Sequence, residues 1–131
     1  MSPVVDSSVL VASLVDSGPT GTWAEGVLAG GNLCAPELAK VQAINIIRRL
    51  ERGKQIPPAE ANADVHALSQ LEIELFPFEP FARRVWELRH AVTCYDAWYV
   101  AVAEAADLPL ATLDHRLSRA NGPACRFLMP R

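Results

Sequence analysis

Pro3-Val4-Val5-Asp6-Ser7-Ser8-Val9-Leu10 decides how this chain is read. Val4 and Val5 are β-branched and suit a short buried strand. Ser7 or Ser8 can cap a following helix, because a side-chain oxygen satisfies a free first-turn N–H. That helix would carry Val9, Leu10 and Leu14 on its apolar side. Asp6 therefore stands where a strand hands over to a helix. In an open parallel sheet the carboxyl ends of the strands line one crevice, where ligands bind.

The same alternation continues outward. Gly18-Pro19-Thr20 breaks the chain, and Thr20 can cap a helix running through Trp23, Val27 and Leu28 to Gly30-Gly31. Leu33-Cys34-Ala35 reads as a second strand, closed by Pro36. A longer helix is predicted from about Glu37 to Arg52, ending at Gly53. Pro57-Pro58 opens another, with Ala61, Val65 and Leu68 on its apolar face. Residues 73–76 read as a strand, and Phe81, Val85, Trp86, Leu88 and Arg89 as a helix. Thr93 can cap a helix ending near Ala106. Residues 109–113 form a strand, 114–120 a short helix and 126–129 a last strand. Short strands alternating with helices give an α/β fold, a short parallel sheet flanked by helices. With no linker, repeat or low-complexity stretch, residues 1–131 are read as a single domain.

Composition narrows the options. Half of the 131 residues are hydrophobic, enough for a real core. No run reaches the ~18 apolar residues of a membrane span. The N-terminus shows no basic stretch ahead of an apolar one, so secretion is not indicated. Cys34, Cys94 and Cys125 are odd in number and widely spaced, which favours buried free thiols in a reducing cytoplasm. His66, His90 and His115 share no metal-ligand spacing and are read as non-catalytic. The net charge is −3. A protein that coats nucleic acid would be basic, so any RNA handling needs local patches and a metal to screen the acids.

Asp96 and Asp114 repeat the situation of Asp6. Asp96 lies in Thr93-Cys94-Tyr95-Asp96-Ala97, and Asp114 follows Leu110-Ala111-Thr112-Leu113. Each has a plain explanation, since Asp favours helix N-caps and first turns, and Thr93-x-x-Asp96 fits a capping box. Together they have a second explanation. A carboxylate at the end of an apolar strand is costly to bury unless a cation or donors compensate. Hard carboxylate oxygens suit Mg²⁺ or Mn²⁺.

The chain resembles a PIN-domain ribonuclease, specifically a VapC-type toxin of a prokaryotic toxin–antitoxin pair. The resemblance runs through Val4-Val5-Asp6-Ser7-Ser8-Val9-Leu10, then Pro36-Glu37-Leu38 to Asn45-Ile46-Ile47-Arg48-Arg49-Leu50. It continues in Tyr95-Asp96-Ala97 with Tyr99, Ala101 and Ala103, and closes on Thr112-Leu113-Asp114-His115-Arg116-Leu117. It implies a PIN-like three-layer fold and a metal-dependent endoribonuclease cutting single-stranded or loop RNA, often tRNA or rRNA. It implies a homodimer, a VapB-like antitoxin, and operator DNA reached only through that antitoxin.

The resemblance also implies a catalytic set of Asp, Glu, Asp and Asp. Asp6, Asp96 and Asp114 match as metal ligands with Mg²⁺ or Mn²⁺ as cofactor, but Gln42 stands at the Glu position. Gln keeps one carbonyl oxygen and loses the charge, so turnover is expected to be impaired. Glu37 lies five residues earlier, about 140° round the helix, and is a poor substitute. The alternative is a catalytically disabled module that binds antitoxin.

Other residues carry two readings each. Ser7 is a support for the metal's water shell or an N-cap. Thr112 is a supporting hydroxyl or a good strand residue. Asn45 and Arg49 share a face with Gln42 and either line the site or face solvent. Arg83-Arg84, Arg116 and Arg119 either rim an RNA site or form solvated faces. Trp23, Trp86, Trp98, Phe76, Phe78 and Phe81 are read as core or interface. A phosphatase of the haloacid dehalogenase type also starts with Asp after a strand, but needs a second Asp where Ser8 stands.

Overall fold

In the computed structural model, which describes residues 2–131, the two valines ahead of Asp6 form the middle strand of a sheet. Among the described residues the strands are Val4–Val5 (β1), Cys34–Pro36 (β2), Glu74–Phe76 (β3), Leu110–Ala111 (β4) and Phe127–Leu128 (β5). All pair in parallel, in the order β3-β2-β1-β4-β5. The helices are Ser7–Val15 (α1), Pro19–Ala29 (α2), Ala39–Arg52 (α3), Pro58–Gln70 (α4), Ala82–Glu87 (α5), Cys94–Ala106 (α6) and His115–Arg119 (α7), with a 3₁₀ turn at Glu79–Phe81. The predicted architecture of a short parallel sheet flanked by helices is the one observed.

The strand order reverses direction between β1 and β4, and such a switch point is where open parallel sheets keep their crevice. Val4 pairs with Leu110 and Val5 with Ala111. The Asp6 amide then donates to the Ala111 carbonyl at 3.1 Å. This register sets Asp6 beside Thr112 at the carboxyl end of the sheet. Val4, Val5, Leu110 and Ala111 are fully buried, and each valine side chain contributes about 1.5–3 kcal/mol by leaving water.

α6 lies against the sheet on one side and α5 on the other. Its run from Tyr99 to Ala103 is accordingly buried on nearly every face. α3 keeps a conventional stripe, burying Ala39, Ala43 and Ile47 at a spacing of four. α1 and α2 pack so closely that a Cβ on Gly21 would meet the Asp16 carbonyl oxygen at 1.7 Å.

Several local expectations are corrected. Asp6, not Ser7 or Ser8, caps α1, accepting from the Val9 amide at 3.2 Å. Thr20 is not the cap of α2. That helix starts on Pro19, whose missing N–H and fixed φ suit a first turn. Arg89 lies beyond α5. Of the cysteines only Cys34 is buried; Cys94 is exposed and Cys125 half-buried, and all are free thiols. Trp86 and Phe78 are exposed at 63% and 41%, so they do not belong to the core. No helix among the described residues is long and apolar enough to cross a membrane.

Candidate active site

Asp6 is the buried end of the site, only 7% exposed. Burial pushes its carboxyl above the usual carboxylate range, partly offset by bonds from Ser8, Thr112 and Val9. The donors are arranged in two matching relays. Ser8 Oγ donates to Asp6 Oδ1 and accepts from the Leu113 amide at 3.2 Å. Thr112 Oγ1 donates to Asp6 Oδ2 and accepts from the Asp114 amide at 3.0 Å. The end of β1 is thereby tied to the turn that carries Asp114. Thr112 itself is fully buried.

Asp114 is exposed and caps α7. Its Oδ1 accepts from the amides of Arg116 at 2.9 Å and Leu117 at 3.1 Å. Asp96 lies in the first turn of α6, which Thr93 caps by accepting the Asp96 amide at 3.1 Å. Both plain readings of these acids therefore hold locally. They do not exhaust the site. The Asp96 carboxyl is pushed up first by burial, then by the negative charges of Asp114 and Asp6. Acids 18 and 90 residues away in the chain can do this only because the fold brings them together.

Gln42 projects from α3 into the same region. Its Oε1 accepts from the Tyr99 hydroxyl at 2.6 Å. Tyr99 is buried, and burial together with the charges of Asp6 and Asp96 raises its phenol far above the usual range. It therefore stays neutral and donates at any ordinary pH. Ser7 sits beside the Tyr99 hydroxyl, while the hydroxyl that reaches Asp6 belongs to Ser8. Asn45 and Arg49 are exposed on α3, and no hydrogen bond among the described residues joins them to the acids. Asp96, Asp114 and Arg116 line an open cleft of about 400 Å³ with Thr93, Val92 and Leu117. His66, His90 and His115 are all exposed.

Ser8 and Tyr99 carry polar contacts that the sequence reading did not assign. Tyr99 had a usable signal, standing three residues after Asp96 and so on the same helix face. Ser8 had a weaker one, as the second residue after an Asp at a strand end.

The acids have a cost that can be measured. A raised carboxyl pKa destabilises the fold above that pKa, and the penalty fades as pH falls through it toward 3.8. Asp96→Asn should therefore raise the melting temperature of the metal-free protein at about pH 8, with a smaller gain near pH 5. Thermal melts at both pH values check this; a lower melting temperature at the higher pH would contradict the shared-charge account.

Comparison with known proteins gives the family and the fold. The family model described as PIN domain matches residues 4–123, which include Asp6, Gln42, Asp96 and Asp114. Ribonuclease VapC1 of Mycobacterium tuberculosis is 36% identical over 129 residues, covering 98% of this chain and 97% of its own. The chain belongs to the VapC family of PIN-domain ribonucleases. Solved PIN-domain folds superpose well despite low identity. VapC20 of Mycobacterium tuberculosis, a sarcin–ricin loop cleaving toxin, gives a TM-score of 0.64 at 18% identity, over 88% of this chain and 92% of its own. VapBC2 from Rickettsia felis, bound to a promoter DNA fragment, gives 0.67 at 11% identity over the whole of both chains.

Of the two readings of Arg84, neither an RNA rim nor a solvated face describes it. Arg84 does not offer a free cation, because its Nε and Nη2 bond both Glu104 oxygens at 2.7 and 3.0 Å. Glu104 in turn accepts from the Ala124 amide, clasping the loop after α7.

Proposed function

We propose that the chain is a divalent-metal-dependent endoribonuclease toxin, neutralised by a VapB-like antitoxin and impaired by Gln42. The observation that carries this is the convergence of acids far apart in the chain. Thr112 ties Asp6 to the turn that carries Asp114. Asp96 lines one cleft with Asp114 and has its carboxyl pushed up by burial and then by the charges of both. The donor chemistry fits a hard cation such as Mg²⁺ or Mn²⁺: carboxylate oxygens to which, among the described residues, no basic side chain is bonded. Among the described residues no three acids close into a finished ligand cage. When bound, the ion would supply a hydroxide near neutral pH and offset charge on the attacked phosphate.

The chain's own residues supply position and charge. Ser8 and Thr112 hold Asp6 in one orientation, so its oxygens face a fixed point. Asp114 uses Oδ1 for its cap, which leaves Oδ2 to the cleft. No side chain has to form a covalent intermediate. The acids also repel RNA, so substrate and cation should bind cooperatively. RNA is the substrate class, supported by the name of the ribonuclease relative, and ribosomal or transfer RNA is the kind the family resemblance implies.

The Gln42 contact favours a second reading. Gln42 Oε1 accepts the Tyr99 hydroxyl and brings no charge to a cation, and its amide nitrogen cannot coordinate one. A chain so disabled could still bind an antitoxin, form a homodimer and reach operator DNA through that antitoxin. VapBC2, which has this fold, was solved as a complex on promoter DNA, in keeping with the antitoxin and operator parts of this reading.

The test is digestion of cellular RNA by the Gln42→Glu form, with Mn²⁺ or with chelator, beside the same form carrying Asp6→Ala. Metal-dependent cutting that disappears with Asp6→Ala is expected. Cutting that survives chelation sinks the metal mechanism. No cutting by folded protein favours the binding module instead.

A further inference from the structure

Resting on the ribonuclease reading, we propose that Arg116 holds a backbone phosphate of the RNA in the cleft, beside the acids. Arg116 is the one basic residue lining that cleft. Its volume of about 400 Å³ lies at the lower end of small-ligand pockets, roughly 300–1,000 Å³. It suits one nucleotide unit and is too small for a folded stem.

The guanidinium is not spent elsewhere. Among the described residues, ion pairs within 4.0 Å involve Arg84 alone, with Glu87 and Glu104. Arg116 makes none, although Asp114 is two residues away. Its backbone is anchored, because the Arg116 amide donates to Asp114 Oδ1 at 2.9 Å. Carboxylate and guanidinium thus rise from the same turn, one suited to a cation and the other to an anion. A phosphodiester between cation and guanidinium needs both. The whole chain carries −3, so its net field repels RNA and a cation placed inside the cleft counts for more. The planar fork of donors matches two phosphate oxygens. Val92, Leu117 and Ala120 offer apolar surface to a sugar or base but no donor to identify it. The contact therefore positions the strand and reads no sequence.

Arg119 supplies the control. It lies on the same short helix, is exposed, carries the same charge and does not line the cleft. In the Gln42→Glu background, kcat and KM are measured on a short fluorogenic single-stranded oligoribonucleotide with Mn²⁺. Arg116→Ala should raise KM about tenfold and flatten the salt dependence of log KM by about one unit. Arg116→Lys should recover part of the loss, and Arg119→Ala should change KM less than twofold. Equal effects of Arg116→Ala and Arg119→Ala, with cutting intact, overturn the proposal and leave the nuclease reading standing. If the parent does not cut, anisotropy of the same oligonucleotide on the chain as it stands, with Mn²⁺, decides the matter. Binding whose salt slope falls by about one unit on Arg116→Ala supports the proposal. Binding whose salt slope is the same with and without Arg116, or no binding, overturns it.

Discussion

Replacing Gln42 by Glu is expected to raise Mn²⁺-dependent RNA cleavage by about a hundredfold or more. The substitution keeps size and shape, so the fold has no reason to change around it. What changes is charge. Gln42 Oε1 is held at 2.6 Å by the Tyr99 hydroxyl, which itself feels the charges of Asp6 and Asp96, so a neutral amide stands at this edge of the acids. A glutamate there keeps the Tyr99 bond, now strengthened by charge. It also presents a second oxygen, ionised, to a cation. The same change makes the metal-free protein worse off, since a fourth acid joins a group in which Asp96 is already pushed up by Asp114 and Asp6. The signature is therefore double: turnover rises, while the melting temperature falls without metal and recovers with it. Rates on cellular RNA and melts with and without Mn²⁺, at matched concentrations, measure both. Equal turnover by the two forms would remove Gln42 as the disabling residue.

Sequence and structure agree where a local signal and the global packing ask for the same thing. Val4–Val5 is a strand because two β-branched residues fit a fully buried position, and any sheet through them places Asp6 at its carboxyl end. Asp6 and Asp114 were legible for that reason, and Asp96 through its place in the first turn of a capped helix. The caps were less so. Ser7 and Ser8 are good cap residues, yet Asp6 takes that role and Ser8 is turned to the carboxylate, because Leu113 from a distant turn offers its amide. That partner lies 105 residues away in the chain, and no local pattern encodes it. The same holds for Gln42 and Tyr99, 57 residues apart. Arg83-Arg84 reads as a pair of surface cations, and only tertiary packing reveals that Arg84 is taken by Glu104. Trp86 shows the opposite failure: its size suggests burial, but α5 turns it outward, with Arg89 stacked 4.3 Å from its ring.

Thr112→Val should destabilise the fold by about 1.5–3 kcal/mol, chiefly the loss of a charge-assisted bond, with a smaller part from the part-buried Asp114 amide left without its acceptor. Valine fills the same space, so no cavity arises and the loss isolates the hydroxyl. That hydroxyl is fully buried, donates to Asp6 Oδ2 and accepts from the Asp114 amide. Without it Asp6 keeps Ser8 and Val9 on Oδ1 and has no donor on Oδ2, so its carboxyl, already raised by burial, rises further. The sign of the pH effect follows. Above the folded pKa of Asp6 the ionised carboxylate feels the whole deficit; as pH falls through that value, a protonated Asp6 no longer needs the donor and the deficit shrinks. Thr112→Ser keeps the hydroxyl and removes a methyl, at a cost of about 1 kcal/mol with little pH dependence. Urea unfolding of both variants at about pH 8 and about pH 5 separates the two terms. Equal losses, or a valine penalty that does not shrink on acidification, would mean that Thr112 serves the strand alone. A larger penalty at the higher pH would show Asp6 held ready, in its ionised form, by a residue that never leaves the core.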